Sequence, residues 1–319
     1  SLDHLWIADK HQFDTPLGLL SPSAVGRLLP LLLRLRRQRY DQLLLLHHLT
    51  TRFGAAKYAL LAAAAGARRT VGLDNGRGRF LDVRVPDLGF GELHEVDYAL
   101  AVASAAGANP LPDPNLEIAL TEASPLSPRR AAVKASRPYV ALHPGSGAYS
   151  LARRWPPELF AEVGRRLAKS AVAKLVLLGT EVDAEPSSAL EALLGKGALN
   201  LVGKTSVKQT AAVLGQCRLL VSNDSGVVHL AAAVGTPVVA VFGPSNDRAW
   251  GPYPPADHRV VRVTLPCSPC FYRGHSLGTP QGCPTRDCLQ LVTPDMVVAA
   301  AEDLLHTVNP LLPQRKRAG

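Results

Sequence analysis

The chain has 319 residues, of which 47% are hydrophobic and 19% charged, and its formal net charge is +9. That length accommodates two domains of ordinary size, and that balance excludes a disordered chain. The basic excess suits a polyanionic partner, but with aromatics at only 5% there is no basic-aromatic ladder for stacking single-stranded nucleic acid.

No apolar run reaches transmembrane length. The stretch Leu28 to Leu35 is interrupted by charge at Arg34 and preceded by Arg27. Nothing at Ser1 reads as a secretory signal peptide. The expectation is a cytosolic protein, either in peripheral contact with the inner membrane face or without membrane contact.

In chain order, Leu5 to Ala8 is a short strand candidate, and Ser23 to Arg39 has helical spacing with Ser23 as a candidate N-cap. Leu43 to Leu46 reads as a strand, and Phe53 to Ala65 as a helix ended by Gly66. Thr70 to Leu73 and Phe80 to Val85 are strand candidates around the turn Asp74-Asn75-Gly76. Glu95 to Ala106 is helical, stopped by Gly107. Residues 109–138 hold Pro110, Pro112, Pro114, Pro125, Pro128 and Pro138 and read as an interdomain connection, with one strand candidate at Glu117 to Leu120.

Beyond it the alternation is more regular. Strands are expected at Tyr139 to Leu142, Lys174 to Leu178, Asn200 to Val202, Arg218 to Val221, Val238 to Phe242 and Val260 to Val263. Helices are expected at Pro157 to Lys169, Ser187 to Leu194, Ser206 to Leu214, Gly226 to Val234 and Pro294 to His306. Strands alternating with helices imply mostly parallel, doubly wound sheets, with ligands bound beyond the carboxyl ends of the strands. The domains are placed at residues 1–135 and 136–319.

Three segments carry chemistry. In Ser222-Asn223-Asp224-Ser225-Gly226, with His229 three residues on, an apolar strand runs through a small polar turn into a helix. The helix start offers free N–H groups to an anion, and Gly226 permits close approach. The simpler reading is that Asp224 only caps the helix. His143-Pro144-Gly145-Ser146-Gly147 comes directly after the first strand of the second domain and is suited to cradle an oxyanion, or is an ordinary tight turn. It lacks the Walker ending and the dinucleotide glycine fingerprint, which disfavours a nicotinamide oxidoreductase. Arg153-Arg154-Trp155-Pro156 sets two guanidiniums before a helix, as phosphate ligands or as a solvated basic turn above a buried Trp155.

Together these segments resemble the lipopolysaccharide heptosyltransferases, glycosyltransferase family 9. The family pattern is His-Pro-Gly, Lys-Arg-Trp-Pro, Ser-Asn-Asp-Ser-Gly with a later His, Gly-Thr-Pro and Phe-Gly-Pro. Here it reads His143 to Gly145, Arg153 to Pro156, Ser222 to Gly226 with His229, Gly235 to Pro237 and Phe242 to Pro244. Gly203 to Ser206 and Asp74 to Arg79 also fit, so the resemblance covers nearly the whole chain.

The resemblance implies an α/β fold of GT-B type, two facing Rossmann-like domains with mostly parallel sheets. The activity it implies is inverting transfer of heptose from ADP-L-glycero-D-manno-heptose to the lipopolysaccharide inner core, with no required cofactor. It implies a lipid A–Kdo or heptosylated core acceptor and no nucleic-acid partner. Carried over by residue, Ser146, Arg153, Asp224, Ser225, Gly226 and His229 are donor- and phosphate-binding, and Arg153 stands where the family usually has Lys. Asp183 and Glu185 lie near the donor adenosine, and Arg52, Lys57, Arg77 and Arg79 are acceptor-side candidates.

The family begins with a strand and a Gly-Asp turn whose Asp is the expected base. Ser1 to Trp6 resembles the segment after the family's second strand, so about sixty residues, two βα units, are missing from the pattern. Asp3, Asp9 and Asp14 lack the right context, and no catalytic base is assigned. Two alternatives stay open: another GT-B enzyme using a UDP-sugar, and a non-catalytic nucleotide-sugar-binding homologue.

Four of the five cysteines, Cys267, Cys270, Cys283 and Cys288, have C-x2-C and C-x4-C spacing. A structural zinc site and a set of reduced free thiols are both compatible with that spacing in a cytosolic protein.

Overall fold

The computed structural model describes residue 5 and residues 22–109, 114–120, 139–170, 173–255, 258–271 and 281–308. The chain divides into two compact units between residues 112 and 113, inside the proline-rich stretch. The Leu5 to Ala8 strand expectation lies outside the described residues but for Leu5.

The first unit carries α1 (Pro22–Gln38), β1 (Gln42–Leu45), α2 (Arg52–Ala65), β2 (Arg69–Asp74), β3 (Val83–Pro86) and α3 (Glu95–Ala105). The strands form one parallel sheet in the order β1-β2-β3. Thr51 caps α2 by accepting from Gly54 N at 2.9 Å, and Gly66 ends it in the left-handed conformation, φ 62°. Helix α1 begins at Pro22, so Ser23 falls inside its first turn rather than at the N-cap; Pro is well suited to open a helix. β3 starts later than the sequence suggests. Asp82 is drawn aside to accept from the backbone and hydroxyl of Thr70, which delays the ladder to Val83. Val71, Leu73, Tyr98 and Val102 pack α3 on the sheet. Residues 117–120 form no strand; Pro114 and the charged, intermittent pattern give that segment nothing to pair with.

The second unit runs β4 (Tyr139–His143), α4 (Pro157–Ser170), β5 (Lys174–Leu177), α5 (Ala184–Leu194), β6 (Ala198–Asn200), α6 (Val207–Leu214), β7 (Cys217–Asn223), α7 (Gly226–Ala233), β8 (Val238–Val241), α8 (Asp247–Trp250), β9 (His258–Val261), α9 (Asp287–Gln290) and α10 (Pro294–Val308). All six strands are parallel, in the order β6-β5-β4-β7-β8-β9. Successive residues face opposite layers. Val140, Leu142, Leu219, Val221, Val239 and Val241 join the core with α4 and α10, while Ala141, Leu220, Val238 and Ala240 join the other with α6 and α7. Gly164 lets α4 lie close to β4, because a Cβ there would stand 2.9 Å from Leu142 Cδ1. Ser206 and Gln209 form a capping box that starts α6.

The strand order reverses between β4 and β7. The chain leaves β4 toward β5 and β6, then returns to β7 on β4's other side. The loops after these two strands therefore diverge and leave a crevice at their carboxyl ends. No described helix is long and apolar enough to cross a membrane.

Candidate functional site

The crevice between β4 and β7 gathers the three segments. Register pairs His143 with Ser222, so both strands end at the same level. Asn223, fully buried at the end of β7, holds the segments together. Its Nδ2 donates to Pro144 O at 2.8 Å, and its Oδ1 accepts from Trp155 N at 3.0 Å. One amide thus joins the glycine loop, the double-arginine turn and the turn after β7. Trp155 is buried beneath, its indole donating to Val292 O at 3.0 Å.

Arg153 ends a short 3-10 turn, Leu151–Arg153. Its Nη1 reaches Asp224 Oδ2 at 3.2 Å, its Nη2 donates to Ser146 O at 2.9 Å, and the guanidinium lies 5.9 Å from the Tyr149 ring centre. Its Nε is buried with no hydrogen-bond partner among the described residues. Asp224 is not a helix cap. It is buried, accepts from Ser245 Oγ and pairs with Arg153. A carboxylate at an anion site is tolerable when a cation and a hydroxyl neutralise it, as here.

Ser225 is the N-cap of α7 and makes no side-chain cap. The helix's first N–H groups lack intrahelical partners and carry partial positive charge. A Cβ on Gly226 would meet nothing within 4 Å, so space opens before that helix start. His229 is half-buried one turn further on. Ser146 is buried, its hydroxyl donating to Ser150 O at 2.6 Å, so it shapes the loop.

Asp183 lies beneath this loop. Its Oδ1 accepts from Gly147 N at 3.0 Å, and its Oδ2 accepts from Thr180 N at 3.0 Å and Thr180 Oγ1 at 2.9 Å. Burial acts to raise its pKa, but His143 and these donors outweigh burial and hold it below the usual carboxylate range. Burial in turn pushes His143 down. Gly145 is required here because a Cβ would overlap the Asp183 carboxylate. Glu185 is exposed and pairs with Arg154 at 3.2 Å. Ser146, Arg153, Asp224, Ser225 and Gly226 thus converge, with Asp183 as their support and Glu185 on the rim.

In the first unit, Arg52 opens α2 after β1, and Arg77 and Arg79 come after β2, all on the carboxyl side of the sheet; Lys57 lies further along α2. Arg77 Nη1 reaches Leu49 O at 3.4 Å and Asn75 Oδ1 at 3.3 Å. The same edge holds His48, which the sequence did not single out. It stands 2.9 Å from Asp87 Oδ1 and 3.2 Å from Glu95 Oε1, edge-on to Tyr98. The Asp87 approach is close but poorly aligned for a hydrogen bond, and it becomes an ion pair when His48 is protonated. Burial acts to lower the His48 pKa, and the two carboxylates overcome it and raise it. A histidine before a helix gives no signal of this; only the fold brings Asp87 and Glu95 to it.

None of Cys217, Cys267, Cys270, Cys283 and Cys288 is in a disulfide. Burial, then the nearby Cys270, Cys283 and Cys267, push Cys288 up to about 11.

A parallel α/β sheet with an arginine–aspartate pair and an uncapped helix start at its switch point is an arrangement suited to a phosphorylated ligand. The glycosyltransferase family 9 (heptosyltransferase) pattern matches residues 29–280, and the chain belongs to that family. Lipopolysaccharide heptosyltransferase 2 of Escherichia coli K12 is 31% identical over 245 residues, 72% of this chain and 67% of that protein. The enzyme of the same name from Salmonella typhimurium is 33% identical over 137 residues, covering 41% of this chain and 38% of that one. The solved structure of E. coli ADP-heptose lps heptosyltransferase II superimposes with a TM-score of 0.62 at 27% identity, covering 89% of this chain and 82% of that one. The α/β class with parallel sheets implied by the sequence is the class of this family, and the chain spans 38% of the Salmonella protein's length and 67% of the E. coli one's.

Proposed function

We propose that the protein transfers heptose from ADP-L-glycero-D-manno-heptose to the inner core of lipopolysaccharide, with inversion at the anomeric carbon. The observation that carries this reading is the Arg153–Asp224 pair at the start of α7, a helix that begins without a side-chain cap. The donor's diphosphate lies against the first N–H groups of α7 and the Arg153 guanidinium. Asp224, Ser225 and Gly226 border the diphosphate and the heptose, and His229 extends that surface. Ser146 shapes the loop that faces the phosphates. Asp183 and Glu185 lie toward the adenosine, Asp183 by fixing the loop and Glu185 at its rim.

Breaking the glycosyl–phosphate bond leaves an oxocarbenium-like sugar and puts negative charge on the departing ADP. The helix N–H groups and Arg153 are aimed where that charge grows, and they stabilise it more than the ground state. The acceptor hydroxyl attacks the opposite face and gives its proton to a carboxylate base. Arg52, Lys57, Arg77 and Arg79 supply positive charge on the acceptor side, suited to a lipid A–Kdo or heptosylated core acceptor. The +9 net charge favours work at the anionic inner face of the cytoplasmic membrane through peripheral contact.

Calorimetric titration with ADP, UDP and ADP-heptose tests the reading. Selective binding of ADP and ADP-heptose is expected. Preference for UDP would replace it with a UDP-sugar enzyme, and absence of binding by all three would remove the donor site.

A further inference from the structure

The five cysteines have two different settings. Cys217 starts β7, buried, with its thiol donating to Val213 O at 3.3 Å. The other four, from two segments of chain, line one cavity of about 40 Å³ whose wall also includes Ala152 and Pro244.

Both segments are fastened in place. Pro244 O accepts from Cys270 N at 2.7 Å and from Phe271 N at 2.9 Å, and Ser268 Oγ donates to Gly243 O at 2.7 Å. Cys288 lies on α9 against Gly243, where a Cβ would stand 3.3 Å from its Sγ. Gly282, at φ 76°, passes so close to Ala152 that a Cβ would lie 2.6 Å from Ala152 Cβ. Cys283 Sγ accepts the N–H of Arg286 at 3.3 Å. Backbone N–H to sulfur contacts of this kind orient and stabilise thiolate ligands. A core that needed only small apolar filling would not require four sulfurs around one void.

We propose that Cys267, Cys270, Cys283 and Cys288 form a four-thiolate zinc site that clasps residues 267–270 and 283–288 against the turn carrying Arg153. Zinc suits this donor set: it takes four sulfurs tetrahedrally, and C-x2-C supplies two of them from one turn. Among the described residues no three such groups already stand close enough to hold an ion. Binding therefore draws the sulfurs inward, into the cavity they line. Each thiol that ligates releases its proton to solvent, so four protons leave for each zinc bound and no electron is transferred.

The full chain, purified under reducing conditions without chelator, is assayed for metal by mass spectrometry and for free thiols after denaturation. About one equivalent of zinc per chain is expected. Cobalt added to the stripped protein is expected to give the intense sulfur-to-cobalt charge-transfer absorption of a tetrathiolate. Cys267→Ser and Cys283→Ser each lower zinc retention by on the order of tenfold or more, whereas Cys217→Ser leaves it unchanged. The cobalt titration uses the unaltered chain, so it stands even where a variant fails to fold. Substoichiometric zinc with no cobalt absorption, or a mass showing disulfides in the freshly isolated reduced protein, overturns the proposal. None of these readouts involves ADP or sugar transfer, so the zinc site and the proposed activity stand or fall separately.

Discussion

The carboxyl edges of the two parallel sheets place charge in opposite ways. In the second unit, Arg153 holds Asp224 and the Ser146 carbonyl, and a helix begins beside it without a side-chain cap. In the first, His48 is enclosed by Asp87 and Glu95, and Asp87 also accepts from Asn75 at 3.0 Å. The first edge satisfies its own charges and holds its loops. The second sets a guanidinium beside a helix start that no side chain caps, and N–H donors gathered at a switch point suit a ligand site.

The largest expected effect falls on the tie beneath the second edge. Asn223→Ala leaves the buried Trp155 N–H and Pro144 carbonyl without their partner, and should cost about 2–4 kcal/mol of stability. Denaturant unfolding measures it, and a change below about 1 kcal/mol would mean that the three segments are held by something else. Next comes the cation. Arg153→Ala should weaken ADP binding by about 1.5–3 kcal/mol, roughly ten- to a hundredfold, and Arg153→Lys should fall between, since it keeps charge but loses the fork. Unchanged ADP affinity in the alanine variant would remove Arg153 from the site.

The smallest effect sharpens the other side. The folded pKa of His48 is raised above its ordinary value of 6.5. Its stabilising contribution is therefore fully present below that ordinary value and is lost as pH rises through the folded value. Melting of the chain tracked from about pH 6 to about pH 8.5 should show a decline that His48→Gln removes. A decline of equal size in the variant would assign it to other groups.

Much of the second unit is legible in the sequence because its strands are buried on both faces. Val140 to Leu142, Leu219 to Val221 and Val238 to Val241 are unbroken apolar runs, and strands buried on two faces require that. Helix α6 announces itself through Ser206 and Gln209. By contrast, α8 and α9 are four residues each, too short for any period to register; α8 exists because Asn246 Oδ1 accepts from Arg248 N at 3.0 Å. At the site, motifs make Arg153, Asp224 and Ser146 visible as residues, but not their pairing across 71 positions. The part played by Ser245 is also hidden, since a serine after Phe-Gly-Pro has no pattern of its own until β8 delivers it to Asp224. His48 is hidden for the same reason, its two carboxylates lying 39 and 47 positions further along the chain.

At Gly226 a methyl group would touch none of the described residues, and alanine in the first turn of a helix is, if anything, better for the helix than glycine. No described neighbour therefore requires glycine at that position. The tolerance of position 226 to small substituents thus gauges how closely a phosphate at the proposed donor site approaches the backbone.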